Sequence, residues 1–181
     1  VHSADYIEFL GSAWAEWKHA GHRGEAIPTG MPIRRMRQRV PRDINGKLGY
    51  YCMAVETAIT EGSWAAACSS AACAVTAQKL VAPGKPAFAL CRPPGHHAGR
   101  SSAMGFCIFN NVAVGAAHAL ASGLDRVAIV DFDVHHGNGT ESIFQSDERV
   151  MLCSVFQHPF YPDTSLVTDN QRIVNVPLDA G

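Results

Sequence analysis

Residues Val127 to Gly139 read V-A-I-V-D-F-D-V-H-H-G-N-G and decide how the chain is interpreted. The leading apolar residues predict a buried strand, after which Asp131, Asp133 and His135 occupy every second position. Because alternate residues of a strand point to the same side, we expect these three side chains to share one orientation. Such residues can also merely bond loop backbone, but the full pattern favours a divalent metal. Carboxylate and imidazole donors without cysteine suit catalytic zinc, Fe(II), Co(II) or Mn(II) better than a structural zinc site.

A second polar cluster, R-P-P-G-H-H-A-G at residues 92–99, follows the apolar run 87–91. Parallel strands place active groups at their carboxyl ends, so we expect the two clusters to converge. His96 and His97 lie on a loop whose shape the prolines and glycine before them restrict. Such a pair suits proton transfer, with one imidazole neutral to accept a proton and the other held charged by a carboxylate.

Three motifs carry a family resemblance: R-P-P-G-H-H-A, G-F-C-I-F-N-N and D-F-D-V-H-H-G-N-G. In order and spacing they resemble the zinc-dependent histone deacetylase and acetylpolyamine amidohydrolase superfamily, which has the arginase-like fold. The segments F-L-G-S-A-W-A-E-W, G-E-A-I-P-T-G-M-P-I-R-R and D-I-N-G-K-L-G-Y-Y-C resemble its bacterial acetylpolyamine amidohydrolase branch. The resemblance implies a three-layer α/β fold with a mainly parallel sheet. Residues 1–181 would be the leading part of one incomplete deacetylase domain.

The resemblance also implies roles for the two polar clusters. Asp133 and His135 would bind one metal ion, with zinc expected and Fe or Co as alternatives. His97 would be the general base that later protonates the leaving amine, and His96 would be its electrostatic partner. Asn138 would orient His97, and an amide here rather than a carboxylate should keep the pKa of His97 low.

The resemblance further implies sites for structural potassium or sodium ions. Asp131 would bond His96 and also help to bind one such ion. The residues expected at this first site are Asp131, Asp133, His135, Ser154 and Val155. A second site would use carbonyl oxygens near Phe144, Asp147 and Val150.

A narrow substrate tunnel is implied as well. The backbone carbonyl of Gly105 would accept the substrate amide N–H, and Phe106 would form one wall. Tyr161 stands where the family usually has a phenylalanine as the opposite wall, so its hydroxyl would make this tunnel more polar. Glu25, Asp43 and Glu56 are weak candidates for binding substrate ammonium groups near the entrance.

The implied reaction is amide hydrolysis by a metal-activated water from which His97 takes a proton. The family supplies a third carboxylate ligand and an oxyanion-stabilising tyrosine from later segments. Neither motif is present before the end at N-V-P-L-D-A-G, and the chain begins at Val1 without an initiator methionine or signal segment. We therefore expect a fragment that is inactive as a free polypeptide, with its independent folding doubtful.

Composition and charge favour a cytoplasmic enzyme. The 181 residues are 47% hydrophobic and 17% charged, with a net charge of -1, which disfavours nucleic acid as a partner. No apolar run reaches about 18 residues, so no membrane span is expected. The arginine-rich loop at residues 21–49 is expected to form a homodimer and narrow the entrance, as in the acetylpolyamine branch; its basic residues are Arg34, Arg35, Arg37, Arg39 and Arg42.

Patterns of polarity predict the secondary structure. The expected helices cover residues 4–19, with an aromatic stripe facing the core, and 51–60, 64–81, 110–122 and 140–144, with Ser63 capping the third of the five. The expected strands cover residues 87–91, 126–131, 150–155 and 172–176. Six cysteines without a C-x-x-C pair are expected to be buried and reduced, and a cysteine nucleophile is disfavoured.

The sequence therefore predicts an enzyme that removes acetyl groups from acetylated polyamines or related acyl-amines. One alternative is a deacetylase of the same superfamily that acts on protein acetyl-lysine. The other is an inactive truncated subunit that retains only a binding role.

Overall fold

The computed structural model describes residues 1–32, 38–164 and 168–181. The described elements, in chain order, are α1 (Ala4–His19), α2 (Ile44–Tyr51), α3 (Ser63–Leu80), α4 (Asn111–Ala121), β1 (Val127–Asp131), α5 (Asn138–Phe144), β2 (Val150–Gln157) and β3 (Ile173–Leu178). Helix α1 has the bounds predicted for it, and three of the four predicted strands are present within about three residues at each end.

The described strands form a parallel sheet in the order β1-β2-β3. Asp131 at the end of β1 pairs with Ser154 of β2, and Ser154 pairs with Asn175 of β3. Helix α5 forms the crossover between β1 and β2, as parallel neighbours require. The predicted α/β class is confirmed, and the carboxyl ends of all three strands lie at one edge of the sheet.

Two apolar clusters hold these elements together. The first contains the aromatic stripe of α1, including Tyr6, Phe9 and Trp17, and packs it against α2, as predicted for a core stripe. The second joins α4 and α5 to the sheet through residues such as Ile129 and Leu152. The sheet and the two helices α4 and α5 therefore share one core.

The predicted helix at residues 51–60 is wrong. The helix of this region is α2, which begins at Ile44 inside the predicted loop and ends at Tyr51. The carboxylate of Asp43 accepts a hydrogen bond from the Gly46 backbone N–H at 2.9 Å and caps the helix there. Asp43, which the sequence offers as a weak candidate for binding substrate ammonium groups, therefore has a structural role as the cap of α2.

The predicted strand at residues 87–91 is absent from the described structure. Phe88 and Leu90 are 88% and 83% exposed, and a cavity of about 1080 Å³ separates this segment from β1. β1 itself is not a buried strand, since only Ile129 of its five residues is buried and Val130 is 65% exposed. An apolar run forms a strand only where a neighbour completes its backbone hydrogen bonds.

Two smaller predictions are also wrong. Ser63 does not cap α3 but is its first residue, and its hydroxyl accepts a bond from the Thr60 backbone N–H. All six cysteines are free, but only Cys52 and Cys107 are buried, whereas Cys73 is exposed and the other three are partly buried. No helix in the described ranges is long and apolar enough to span a bilayer.

Candidate active site

The cluster at the end of β1 is built by the loop that follows the strand. β1 stops at Asp131, so the alternation expected for Asp133 and His135 does not extend to them. Side-chain bonds shape the loop instead: Asp131 accepts from the Asp133 backbone N–H at 3.2 Å, and Asp133 accepts from the His135 backbone N–H at 2.8 Å. These two turns, rather than the alternation of a strand, bring the side chains of Asp131, Asp133 and His135 together.

Asp133 and His135 present two donor atoms to one point. The Asp133 Oδ1 and His135 Nδ1 atoms are 3.0 Å apart. Two ligands about 2.0–2.1 Å from a tetrahedral zinc would be roughly 3.3 Å apart, so the two donors fit neighbouring positions around one ion. In the described residues no group of three or more His, Cys, Asp or Glu side chains could hold a metal. The described residues thus place two suitable donors side by side, and their role as metal ligands stays a prediction.

The Asp133 carboxyl is electrostatically prepared to bind a cation. Its burial raises the pKa, but the hydrogen bond from the His135 backbone and the nearby His96 outweigh this effect, and the pKa lies below its ordinary value. The side chain remains 49% exposed. An ionised and accessible carboxylate is the form that coordinates metal.

His96 is held by Asp131. The His96 Nδ1 and Asp131 Oδ2 atoms are 2.9 Å apart, and the two side chains are only 15% and 11% exposed. A Cβ atom at Gly137 would collide with this Asp131 carboxylate, so the glycine of the H-H-G-N-G motif leaves room for the pair. The cluster at the end of β1 therefore contacts the loop at residues 92–99, as the sequence predicts.

His97 is held by Asn138 in a different environment. The His97 Nδ1 and Asn138 Oδ1 atoms are 2.8 Å apart, while Asn138 Nδ2 donates to the Met104 sulfur at 3.3 Å. With its NH₂ group directed to sulfur, the amide offers its oxygen to His97, so Nδ1 carries the proton and Nε2 has a free lone pair.

Burial strongly affects the protonation of His97, whose residue is only 4% exposed. Desolvation, followed by the electrostatic effect of His96, lowers the pKa of His97 to about 4, although the hydrogen bond that His97 donates to Asn138 acts in the opposite direction. The direction agrees with the sequence expectation, but burial rather than the missing carboxylate is the main cause. His97 is therefore neutral near pH 7 and able to accept a proton.

Gly105 and Phe106 form a turn beside the His97 ring. Both have positive φ angles, 55° and 64°, and a side chain at Gly105 would collide with His97. The Phe106 backbone N–H donates to the Thr57 hydroxyl at 2.9 Å, which holds the strained turn. The Phe106 ring is 62% exposed and free to contact a ligand.

Tyr161 faces the same histidines from the segment after β2. Its ring lies 5.2 Å from that of His97 in a perpendicular arrangement and 5.8 Å from that of His135. Its hydroxyl donates to Glu56 Oε1 at 3.1 Å, and burial together with this bond raises the pKa of Tyr161. Tyr161 is thus a neutral, half-buried ring beside the candidate site, with an exposed carboxylate at its outer end.

The residues predicted for the first monovalent site lie close together. Ser154 is buried opposite Asp131 in the sheet and accepts a bond from the Gly137 backbone N–H at 3.4 Å, and Val155 follows it in β2. This side chain and the adjacent backbone lie directly against the Asp131 carboxylate loop. The role of these residues in binding a monovalent cation stays a prediction.

The residues predicted for the second monovalent site lie at the opposite end of β2. The Asp147 backbone N–H donates to the Phe144 carbonyl at 3.0 Å, and that of Val150 donates to the Asp147 carbonyl at 3.2 Å. Hydrogen bonds from Arg149 lower the pKa of the Asp147 carboxyl to about 2. The structure therefore places this group apart from the histidine cluster.

Several residues that support the cluster have no assigned role in the sequence analysis. Buried His136 bonds Glu141 through Nε2 at 2.9 Å and Thr164 through Nδ1. Asn110 and Thr140 are fully buried and bonded to each other at 3.1 Å. The motifs F-N-N and H-H-G-N-G-T contain the signal, because polar residues inside apolar segments require buried partners.

Part of the arginine-rich loop lies outside the described residues, including Arg34, Arg35 and Arg37. The predicted homodimer contact and narrow entrance formed by residues 21–49 therefore stay predictions. The described portion of this loop includes Ala26, which exchanges two backbone hydrogen bonds with Ile59.

Comparison with known proteins gives concordant results. The histone deacetylase domain model matches residues 1–181. An acetylpolyamine amidohydrolase from Mycoplana ramosa is 51% identical over 160 residues, which cover 88% of this chain and 47% of that protein. Histone deacetylase 15 from Arabidopsis thaliana is 48% identical over 106 residues, covering 54% of this chain and 19% of that protein.

A solved structure resembles the whole described fold. The crystal structure of acetylpolyamine aminohydrolase from Burkholderia pseudomallei superposes with a TM-score of 0.90 at 34% identity, covering 99% of this chain and 55% of that one. The parallel sheet and its flanking helices therefore have the arginase/deacetylase fold. The chain spans about half the length of the acetylpolyamine amidohydrolases it matches.

Proposed function

Because this chain belongs to the histone deacetylase family, we propose that the full-length protein is a metal-dependent amidohydrolase that deacetylates polyamines or related acyl-amines. The observation that carries the proposal is the buried His97, hydrogen-bonded to the partly buried Asn138, beside the donor atoms of Asp133 and His135. The rings of His97 and His135 have centroids 5.9 Å apart. A neutral base and two metal-binding groups thus face one small volume.

We propose that Asp133 and His135 hold one zinc ion, with Fe or Co as alternatives, and that the remaining ligand comes from the rest of the full-length protein. When bound, such an ion would polarise the acetyl carbonyl and make water more acidic. The relatives are about twice as long as this chain, so they have room for a further carboxylate and an oxyanion-stabilising tyrosine.

The proton transfers are assigned to His97. Its Nδ1–H donates to Asn138, which leaves Nε2 to accept a proton from the attacking water. The same Nε2 then donates that proton to the nitrogen of the leaving amine, so the base is regenerated. His96, whose ring centroid is 4.0 Å from that of His97 and whose Nδ1 bonds Asp131, is the proposed electrostatic partner.

The proposed preference for polyamines depends on the residues near the entrance of the candidate site. An acetylated polyamine carries an ammonium group several bonds beyond the acetamide, which requires an anionic or aromatic partner outside the reacting centre. Glu56 is exposed, and its Oε1 is 3.1 Å from the Tyr161 hydroxyl. Glu56 would provide the anionic contact, and the exposed ring of Phe106 would provide the aromatic one. Gly105 would accept the substrate amide N–H through its carbonyl.

Protein acetyl-lysine is the second candidate substrate, because the similarity to histone deacetylase 15 covers half of the chain. Acetyl-lysine in a peptide has no free ammonium at the corresponding distance. Discrimination between the two substrates therefore depends on the entrance carboxylate rather than on His97.

Other features of the full-length protein are proposed at the same level. We propose that the protein forms a homodimer through residues 21–49 and is cytoplasmic. We also propose that structural K⁺ or Na⁺ ions bind at the two monovalent sites predicted from the sequence. A binding subunit without activity is the reading that remains if catalysis is not found.

The test is acetate release from N-acetylputrescine, N-acetylspermidine and an acetyl-lysine peptide by the zinc- or cobalt-loaded full-length protein. We expect rapid turnover of the polyamines, slow turnover of the peptide and no activity in His97→Ala. Preference for the peptide would assign the protein to the lysine deacetylases. Absence of acetate release from every substrate would favour the non-enzymatic reading.

A further inference from the structure

Asn110, the first of the two asparagines of the F-N-N motif, makes more hydrogen bonds than a helix cap needs. Its Oδ1 accepts from the Ala113 backbone N–H at 3.0 Å and caps α4. Serine, threonine or aspartate performs that task equally well, since a cap needs only an acceptor. An asparagine is required only if its NH₂ group is also used.

Both protons of the Asn110 amide are used, one toward the loop at residues 92–99 and the other toward the first turn of α5. Nδ2 donates to the Ala98 carbonyl at 3.0 Å and to the Thr140 hydroxyl at 3.1 Å. Ala98 follows His97 directly in the chain, and Thr140 lies two residues after Asn138. One fully buried side chain therefore ties the loop of the proposed base to the first turn of α5, which carries the orienting amide of Asn138.

The loop at residues 92–99 and the first turn of α5 are in close contact where Asn110 joins them. The Thr140 backbone N–H donates to the His96 carbonyl at 3.1 Å, and a Cβ atom at Gly139 would collide with the backbone of His97 and Ala98. Asn110 is also anchored from a third direction, because its own backbone N–H donates to His2 Nε2 at 3.0 Å. Asn110 is therefore hydrogen-bonded to three separate segments of the chain.

We propose that Asn110 is a positioning residue for the reaction, which acts by fixing the His97–Asn138 hydrogen bond and hence the tautomer of His97. The proposal rests on the proposed function, in which His97 Nε2 is the base. If this loop and α5 move apart, the Nδ1–H···Oδ1 bond lengthens and the tautomer with its proton on Nε2 becomes populated. That tautomer has no lone pair facing the substrate.

Asn110→Thr in the full-length protein separates the two roles, because threonine retains a capping oxygen and removes both donors. We expect kcat to fall about 10- to 100-fold, as small misplacements of a catalytic group do, with KM within about twofold of the wild type. The bound metal content should be unchanged. The control is Glu16→Ala, which removes the hydrogen-bond partner of Ser12 and Lys47 on α1 and should leave both constants unaltered.

A second pair of variants covers the case in which Asn110→Thr does not fold. Thr140→Val keeps the shape and removes the hydroxyl that accepts from Asn110, so kcat should fall in the same way but less. Thr140→Ser keeps the hydroxyl and should restore most of the loss. Equal activity of valine and serine at this position would overturn the proposal.

The tautomer of His97 is a readout that needs no substrate. Long-range ¹H–¹⁵N spectra, with the His97 signals assigned by their loss in His97→Ala, should show the Nδ1–H tautomer in the wild type and a mixture in Asn110→Thr. An unchanged tautomer with unchanged kcat, or a kcat loss that follows metal loss, would overturn the inference. If the wild type releases no acetate from any amide, the proposed function fails, while the tautomer comparison still decides the structural effect of Asn110.

Discussion

The loop of the proposed base and the loop of the proposed metal ligands lie side by side but are built differently. The former is buried and cross-linked: His97 is 4% exposed, and Asn110 and Thr140 bond to its neighbours. In the latter, the side chains of Asp133 and His135 are 49% and 32% exposed and bond mainly to each other. The base region is thus held by several buried hydrogen bonds, whereas the two side chains of the ligand region are more exposed.

The largest expected effects separate the two regions. Asp133→Ala removes a metal ligand, so metal content measured by elemental analysis and acetate release should both be lost, with activity falling more than about a hundredfold. His97→Ala should lose about 10²–10⁴ in kcat as a general base is removed. Unlike the first variant, it should retain its metal. If His97→Ala also loses the metal, the two regions are not independent.

Asn138→Asp should shift the pH dependence of the base region. His97 acts in its neutral form, so activity falls as the pH drops through its pKa, which burial lowers to about 4 in the metal-free chain. A carboxylate at position 138 stabilises the imidazolium, and we expect the acidic limb of kcat/KM to move upward by about one unit or more. A limb at the same pH in both proteins would show that another group titrates there.

Glu56→Gln should have a smaller effect confined to the entrance. Loss of one exposed charge should raise KM for N-acetylspermidine about two- to fivefold, with kcat unchanged, since exposed ion pairs contribute up to about 1 kcal/mol. The acetyl-lysine peptide should be hydrolysed as before. Glu148→Gln is the matched control, because Glu148 is also exposed and lies at the amino end of β2. A kcat effect of Glu56→Gln would place this carboxylate at the reacting centre instead.

The smallest effect is expected from the cap of α2. Asp43→Ala should reduce the free energy of unfolding by about 1 kcal/mol, as measured by urea denaturation of the full-length protein, because the Gly46 N–H loses its acceptor. Both catalytic constants should be unaltered. A change in kcat would connect α2 to the base region.

The sequence predicts local features better than features that depend on distant partners. The apolar stripe of α1 and the motif after β1 were sufficient to place a helix and a polar cluster, since both patterns are short-range. Residues 87–91 have the composition of a strand, but no neighbouring strand pairs with them in the described ranges. The start of α2 is not predicted, because the sequence places Asp43 inside the loop at residues 21–49 and not at a helix cap.

The candidate site shows the same limit. The pairing of His96 with Asp131 and of His97 with Asn138 followed from motifs and family resemblance, and the described structure brings each pair within hydrogen-bonding distance. The bridge through Asn110 could not be found in this way, because it joins segments that only the fold brings together. Burial as the main cause of the low pKa of His97 likewise requires the packed structure.

The most direct test of the proposed activity is acetate release from N-acetylputrescine by the full-length protein before chelation, after chelation and after addition of zinc, with His97→Ala measured in parallel. We predict that activity disappears with the metal, returns with zinc and is absent from the metal-bound variant. Undiminished acetate release after chelation, or from metal-bound His97→Ala, would contradict metal-dependent hydrolysis with His97 as the base.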